Sequence, residues 1–220
     1  MFRIKICGIT NINDALAASA AGADAIGFNF FSKSSRFVAP EIARQIVAAL
    51  PASVTKVGVF VNHLPDEITR IVDRVGLNCI QLHGDEPPNI MDQLPAEIPV
   101  IRAWQSSHEK LEALIAHLAL CRLAGRAPDA LLFDSASNDK FGGTGHVADW
   151  QAILHHQSAF ADTPLILAGG LTPENVARAI AAVNPAAVDV ASGIELSPGI
   201  KSHQKMQHFI ATAHQSFSLT

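Results

Sequence analysis

Residues 56–84 read KVGVFVNHLPDEITRIVDRVGLNCIQLHG, and the fold turns on this stretch. The run Lys56–Val61 is short, apolar and rich in valine, as a buried strand requires. Beyond Asn62 the spacing changes, with Ile68, Ile71, Val72 and Val75 recurring at intervals of three and four on one helical face. Gly76 stands where that helix should stop, and Cys79–His83 resumes a strand-like run. Strand, helix and strand in so short a stretch describe a βαβ unit of parallel sheet.

The same alternation extends in both directions. Further strands are expected at Arg3–Cys7, Ala25–Asn29, Val100–Trp104, Ala130–Asp134, Leu165–Gly169 and Ala187–Ala191. Helical spacing returns in Leu111, Leu114, Ile115 and Leu118, and again in Val176, Ile180 and Val183. Gly22 marks the end of a first helix, while Thr172-Pro173 offers an N-cap followed by proline at the first helical position. Eight strands share 220 residues, roughly 27 per unit, which is lean but sufficient for an α/β fold of the (β/α)8 TIM-barrel type. An open doubly wound sheet is the other arrangement this order allows. No shift in composition and no Pro/Ser-rich linker divides the chain, so one domain over residues 1–220 is expected.

Composition narrows the function classes. With 49% hydrophobic and 16% charged residues, a sizeable core is available and disorder is excluded as the main state. A formal charge of -4 supplies no basic stripe for nucleic acid, and no apolar run reaches the roughly 20 residues that span a bilayer. The N-terminal alternation enters structure without a signal-peptide core. Cys7, Cys79 and Cys121 are odd in number and widely spaced, which fits a reducing cytoplasm rather than a disulfide framework. His155-His156, His203, His208 and His214 form no metal-ligand pattern, and no metal is expected.

In a parallel barrel the C-terminal strand ends converge, so polar residues there can meet around one ligand. Those ends hold Cys7, Asn29 with Arg36 just beyond, His83, Arg102, Asp134, Gly169-Gly170, and Asp189 with Ser192-Gly193. Alternation along the first strand puts Arg3, Lys5 and Cys7 on one face and Phe2, Ile4 and Ile6 on the other, which should face the helices. Lys5 beside Cys7 would favour the thiolate and let the thiol act as a base, although a buried cysteine is also an ordinary core filler. Lys5 could instead pair with an acidic residue inside the barrel. Asp134 follows the apolar run Ala130–Phe133, a position that suits a general acid but also a loop-capping aspartate. Gly169-Gly170 and Ser192-Gly193 fall in the two loops where barrels often bind phosphate, though Gly-Gly alone is common turn chemistry. Phe141-Gly142-Gly143-Thr144-Gly145 reads as a mobile loop and lacks the Gly-Lys-Ser/Thr ending of a nucleotide-phosphate loop.

Taken in order, Lys5-Ile6-Cys7-Gly8-Ile9-Thr10, Ser34-Ser35-Arg36, Gln81-Leu82-His83-Gly84, Asp134, Gly142-Gly143-Thr144-Gly145, Leu167-Ala168-Gly169-Gly170, Asp189-Val190-Ala191-Ser192-Gly193-Ile194-Glu195 and Pro198-Gly199-Ile200-Lys201 resemble the phosphoribosylanthranilate isomerase family along essentially the whole chain. The resemblance implies a cofactor-free Amadori rearrangement of N-(5'-phosphoribosyl)anthranilate in tryptophan biosynthesis. It implies Cys7 as general base and Asp134 as general acid, with Arg36, His83, Gly169, Gly170, Asp189, Ser192 and Gly193 binding the substrate. The expected partner is a small phosphosugar, and the expected state is a monomer or homodimer. Another phosphosugar barrel enzyme, or a silent phosphosugar-binding barrel, shares the phosphate loops. The family often has lysine where this chain has His146, and an acidic residue where it has Ser202, which puts loop order and helix capping in question.

Overall fold

The computed structural model describes residues 2–106, 108–135 and 163–219. Eight parallel strands form a closed barrel: β1 (Ile4–Cys7), β2 (Ala25–Asn29), β3 (Thr55–Phe60), β4 (Cys79–Leu82), β5 (Val100–Ser106), β6 (Ala130–Ser135), β7 (Leu165–Leu167) and β8 (Ala187–Val190). Each pairs with the next, and β8 returns to β1 in a register that sets Lys5 opposite Asp189. The open doubly wound alternative is thereby excluded.

Outside the strands lie α1 (Ile12–Ala20), α2 (Pro40–Ala49), α3 (Pro65–Val75), α4 (His108–Leu123), α5 (Val176–Val183) and α6 (His203–Phe217). On α3 the expected face is the packed one: Ile68, Val72 and Val75 are buried, Ile71 packs at the margin, and Gly76 ends the helix with a left-handed backbone. On α4, Leu114 and Leu118 are buried as expected, but Ile115 is exposed and Cys121 takes the next inward position. Thr172-Pro173 does not start α5. The backbone there first forms a turn in which the Asn175 side chain accepts from Thr172 N–H and donates to the Gly170 carbonyl. Ser202 caps α6 by accepting from Lys205 N–H, so the departure at this position keeps a working cap.

Two apolar layers result. Ile4, Ile6, Phe28, Phe60 and Phe133 face the helices, whereas Ala25, Val57, Cys79, Ala130, Leu132 and Ala187 fill the barrel. Phe2 corrects the parity expected for the first strand, because it joins the inner cluster rather than the helix face. The strand begins only at Ile4, where the Asp24 carboxylate accepts from both Arg3 and Ile4 N–H, so alternation does not extend to the two preceding residues. Arg3 lies over the Phe217 ring instead of entering the barrel. No helix among the described residues is long and apolar enough to cross a membrane.

The fourth unit has no α-helix. A 3-10 turn, Pro88–Gln93, takes its place, since consecutive prolines at 87 and 88 withhold two backbone donors. Arg126 compensates by donating through Nη1 to the carbonyls of Pro95 (3.0 Å), Leu94 (3.2 Å) and Met91 (3.4 Å), and through Nη2 to Ile98. Replacing Arg126 by alanine leaves these carbonyls without a charged donor and should lower unfolding stability by about 1–3 kcal/mol. Urea denaturation checks this, and a wild-type midpoint would show that the staple is not stabilising.

Candidate active site

At the C-terminal ends of the strands is a cavity of about 400 Å³, within the usual range of small-molecule sites. Cys7, Arg36, His83, Asp134, Gly169, Gly170, Asp189 and Ser192 all line it, so the closed sheet brings together residues expected from widely separated strand ends. Gly193 is not among the lining residues. A side chain at this position would meet the Leu171 carbonyl oxygen at 1.8 Å, so glycine lets the Ser192–Ile194 turn abut the preceding loop. Gly169 and Gly170 have φ of 80° and 63°, a left-handed pair that presents backbone without Cβ atoms beside the cavity.

Arg102 is corrected. Ile101 and Ala103 point into the barrel, so Arg102 points out, where it pairs with buried Glu86. Glu86 also accepts from Asn62 N–H (2.9 Å) and Gly84 N–H (2.9 Å), fixing the turn that follows β4. Gln81 lies within the barrel at that strand end, with its Nε2 2.8 Å from His83 Nδ1, while His83 Nε2 is 3.5 Å from Asp134 Oδ2. An amide donating to Nδ1 leaves the proton of a neutral imidazole on Nε2, facing the carboxylate. Gln81 Oε1 is buried with no hydrogen-bond partner among the described residues. Glu86 carried no sequence signal, because its partners are set by tertiary contacts and not by spacing.

Cys7 is half-buried, and completely buried Lys5 donates to Asp189 Oδ1 at 3.0 Å. The Gly27 backbone opposite Cys7 leaves room for both groups: a Cβ there would stand 2.8 Å from Cys7 Sγ and 3.1 Å from Lys5 Nζ. Lys5 therefore lies next to Cys7 and also pairs with an acid, uniting the two alternatives posed by the sequence. The expected thiolate does not prevail, however. Burial pushes the Cys7 thiol up, and the opposing charge of Lys5 offsets this only in part, with Asp189 adding to the rise. Lys5 stays firmly protonated: burial acts to lower its pKa, but Asp189 and Cys7 together raise it above the ordinary lysine value.

Arg36 is not an open fork. Its Nε and Nη2 donate to Glu195 Oε1 and Oε2 at 2.8 and 2.7 Å, and Lys201 Nζ donates to the same carboxylate at 2.8 Å. Neither Glu195 nor Lys201 stood out in the sequence as a site residue, although both belong to the closing motifs. Among the described residues no group of three or more His, Cys, Asp or Glu could hold a metal. The Gly142–Gly145 loop, His146 and His155-His156 lie outside the described residues.

A family model described as N-(5'phosphoribosyl)anthranilate (PRA) isomerase matches residues 4–212. The N-(5'-phosphoribosyl)anthranilate isomerase of Thermotoga neapolitana is 44% identical over 213 residues, covering 97% of this chain and 98% of the relative. The crystal structure of phosphoribosyl anthranilate isomerase from Thermotoga maritima superposes with a TM-score of 0.86 at 41% identity, covering 98% of this chain and all of that one. A second isomerase structure, in complex with reduced 1-(o-carboxyphenylamino)-1-deoxyribulose 5-phosphate, matches at 41% identity and a TM-score of 0.83 over 98% of this chain and 100% of that one.

The electrostatics around Cys7 can be read by alkylation. Its rate–pH midpoint should lie above that of an ordinary thiol, and Lys5→Met, which removes a charge that opposes the rise, should move it further up. Cys79, buried and pushed up to about 12, will not compete. An unchanged midpoint in a variant with native circular dichroism would show that Lys5 does not act on the thiol.

Proposed function

Since the chain belongs to the N-(5'-phosphoribosyl)anthranilate isomerase family, it is an isomerase of tryptophan biosynthesis interconverting an aldose and a ketose, and we propose that Cys7 is its general base and Asp134 its general acid. The observation that carries these roles is the opening of both side chains into one cavity, which Arg36 and the Gly169-Gly170 and Ser192 loops also line.

The reaction begins when Asp134 donates a proton to the furanose ring oxygen as the C1–O bond breaks. The nitrogen lone pair forms the C=N bond, giving a protonated imine. That imine is an electron sink which acidifies the neighbouring C2–H, so Cys7 can remove the C2 proton without an external electron acceptor. The C2–H electrons move into the C1–C2 bond, the C=N electrons return to nitrogen, and the resulting enolamine tautomerises to the ketone. Because burial disfavours the free thiolate, the arriving iminium charge acts in the same sense as Lys5, toward thiolate. His83, turned to Asp134 by Gln81, would orient the acid.

Substrate orientation comes from its two ends. Arg36 would hold the anthranilate carboxylate and the Gly169-Gly170 and Ser192-Gly193 loops the phosphate, with Asp189 fixing this rim through Lys5. Such a ligand, an aromatic acid joined to a sugar phosphate, suits the cavity's size. A single barrel domain over residues 1–220 and a cytoplasmic location complete the proposal.

Cys7→Ala and Asp134→Asn should each reduce kcat by about 10³-fold or more while the fold survives. Both should fail to restore growth without tryptophan to a strain lacking the isomerase step. Wild-type-like turnover in either variant would remove that residue from its role.

A further inference from the structure

Arg36 approaches the cavity along Gly8, close enough that a side chain there would strike its Cδ at 2.6 Å. Its guanidinium carries five N–H groups, and the Nε and Nη2 bonds to Glu195 occupy one complete edge of the fork. What is left is the other edge, both Nη1 hydrogens and one on Nη2. Glu195 is itself fixed. It lies in a strand, β9 (Glu195–Ser197), that pairs antiparallel with β10 (Ile200–Lys201) and sets Lys201 opposite it. The Lys201 ammonium, completely buried, bonds to Oε1, and Gly199 N–H donates to the same oxygen at 3.2 Å. Thr10 holds Gly199 in turn through its carbonyl, at 2.6 Å.

Burial by itself would raise the Glu195 carboxyl, but the Arg36 hydrogen bond and Lys201 hold it below the usual carboxylate value. The triad therefore carries two cations against one carboxylate, an excess positive charge fixed at the cavity wall. A free arginine could turn either edge, or neither, toward an incoming anion. This one has a single edge to offer.

We propose that Glu195 is a positioning residue that sets the specificity of the site for a substrate bearing a carboxylate on its aromatic ring, by forcing Arg36 to present its Nη1–Nη2 edge. This rests on the assignment of Arg36 to that carboxylate, and it predicts loss of discrimination rather than general loss of binding. Lys201 neutralises Glu195, so the pair does not cancel the attraction of Arg36 for an anion.

The test compares two ligands by calorimetry: the reduced, non-reacting analogue of the aminoketose product, and its counterpart lacking the ring carboxylate. The wild type should prefer the first by about 30-fold, and Glu195→Ala should cut that preference to about threefold while binding of the second changes less than about twofold. Glu195→Gln, which keeps one acceptor for Nε, should fall between, and it decides the matter if the alanine variant does not fold. Equal weakening for both ligands, or an undiminished preference in folded Glu195→Ala or Glu195→Gln, would overturn the positioning role. Arg36→Ala separates the two levels. If it keeps the wild-type preference, the carboxylate assignment itself falls; if it loses the preference while the Glu195 variants keep it, only the positioning role falls.

Discussion

Lys5 and Asp189 meet where the first strand joins the last, and the site is organised around that contact. A barrel lined below by alanine, valine and leucine offers no water to a lysine. Its ammonium is tolerable there because a carboxylate from the opposite edge of the seam lies within 3.0 Å. The pair is a condition of closure more than a source of net stability, since desolvating two charges consumes most of what their attraction returns. Removing one partner, in contrast, strands a buried charge at a cost of roughly 3–5 kcal/mol. Cys7 stands next to this pair on the same strand face, so the geometry that closes the barrel also fixes the electrostatic surroundings of its thiol.

Around Cys7 the competition is between desolvation and charge. Lys5 and Lys201 pull toward thiolate, and burial, the largest influence, together with Asp189 outweighs them. As the base proposed above, Cys7 would be held in reserve, with the charge of a bound intermediate forming part of its activation. Farther out, Glu195 and Lys201 constrain Arg36, which lines the same cavity. The chain's modest charge content is thus misleading as an average, because buried ions are gathered at the strand ends.

The fold was legible because βα alternation is local: strand cores at Ala25–Asn29 and Cys79–Leu82 and the inward face of α3 could be read from spacing alone. Errors arose where local rules met an edge. Phe2 and Arg3 precede the first paired residue and so escape the alternation. Thr172-Pro173 has the composition of a helix start, yet the Asn175 side chain bonds back to the loop and delays the helix. Of the site, residues on single strand ends were visible, because parallel strands all end on one face. Partnerships were not. Nothing near Arg36 in sequence announces Glu195, 159 positions away, and the balance between burial and Lys5 at Cys7 depends on packing density, which spacing does not encode.

The seam contact also has a temporal side. Lys5 and Asp189 are 184 positions apart, so a chain emerging from the ribosome exposes its first strand long before that strand's closing partner exists. Throughout that interval the lysine has no counter-charge from β8 and the thiol has no enclosing cavity. The counter-charge for the lysine and the shelter for the thiol therefore arrive together, with the last unit synthesised. An incomplete product released early would be a chain without a seam, and its cysteine would behave as a solvent-exposed thiol.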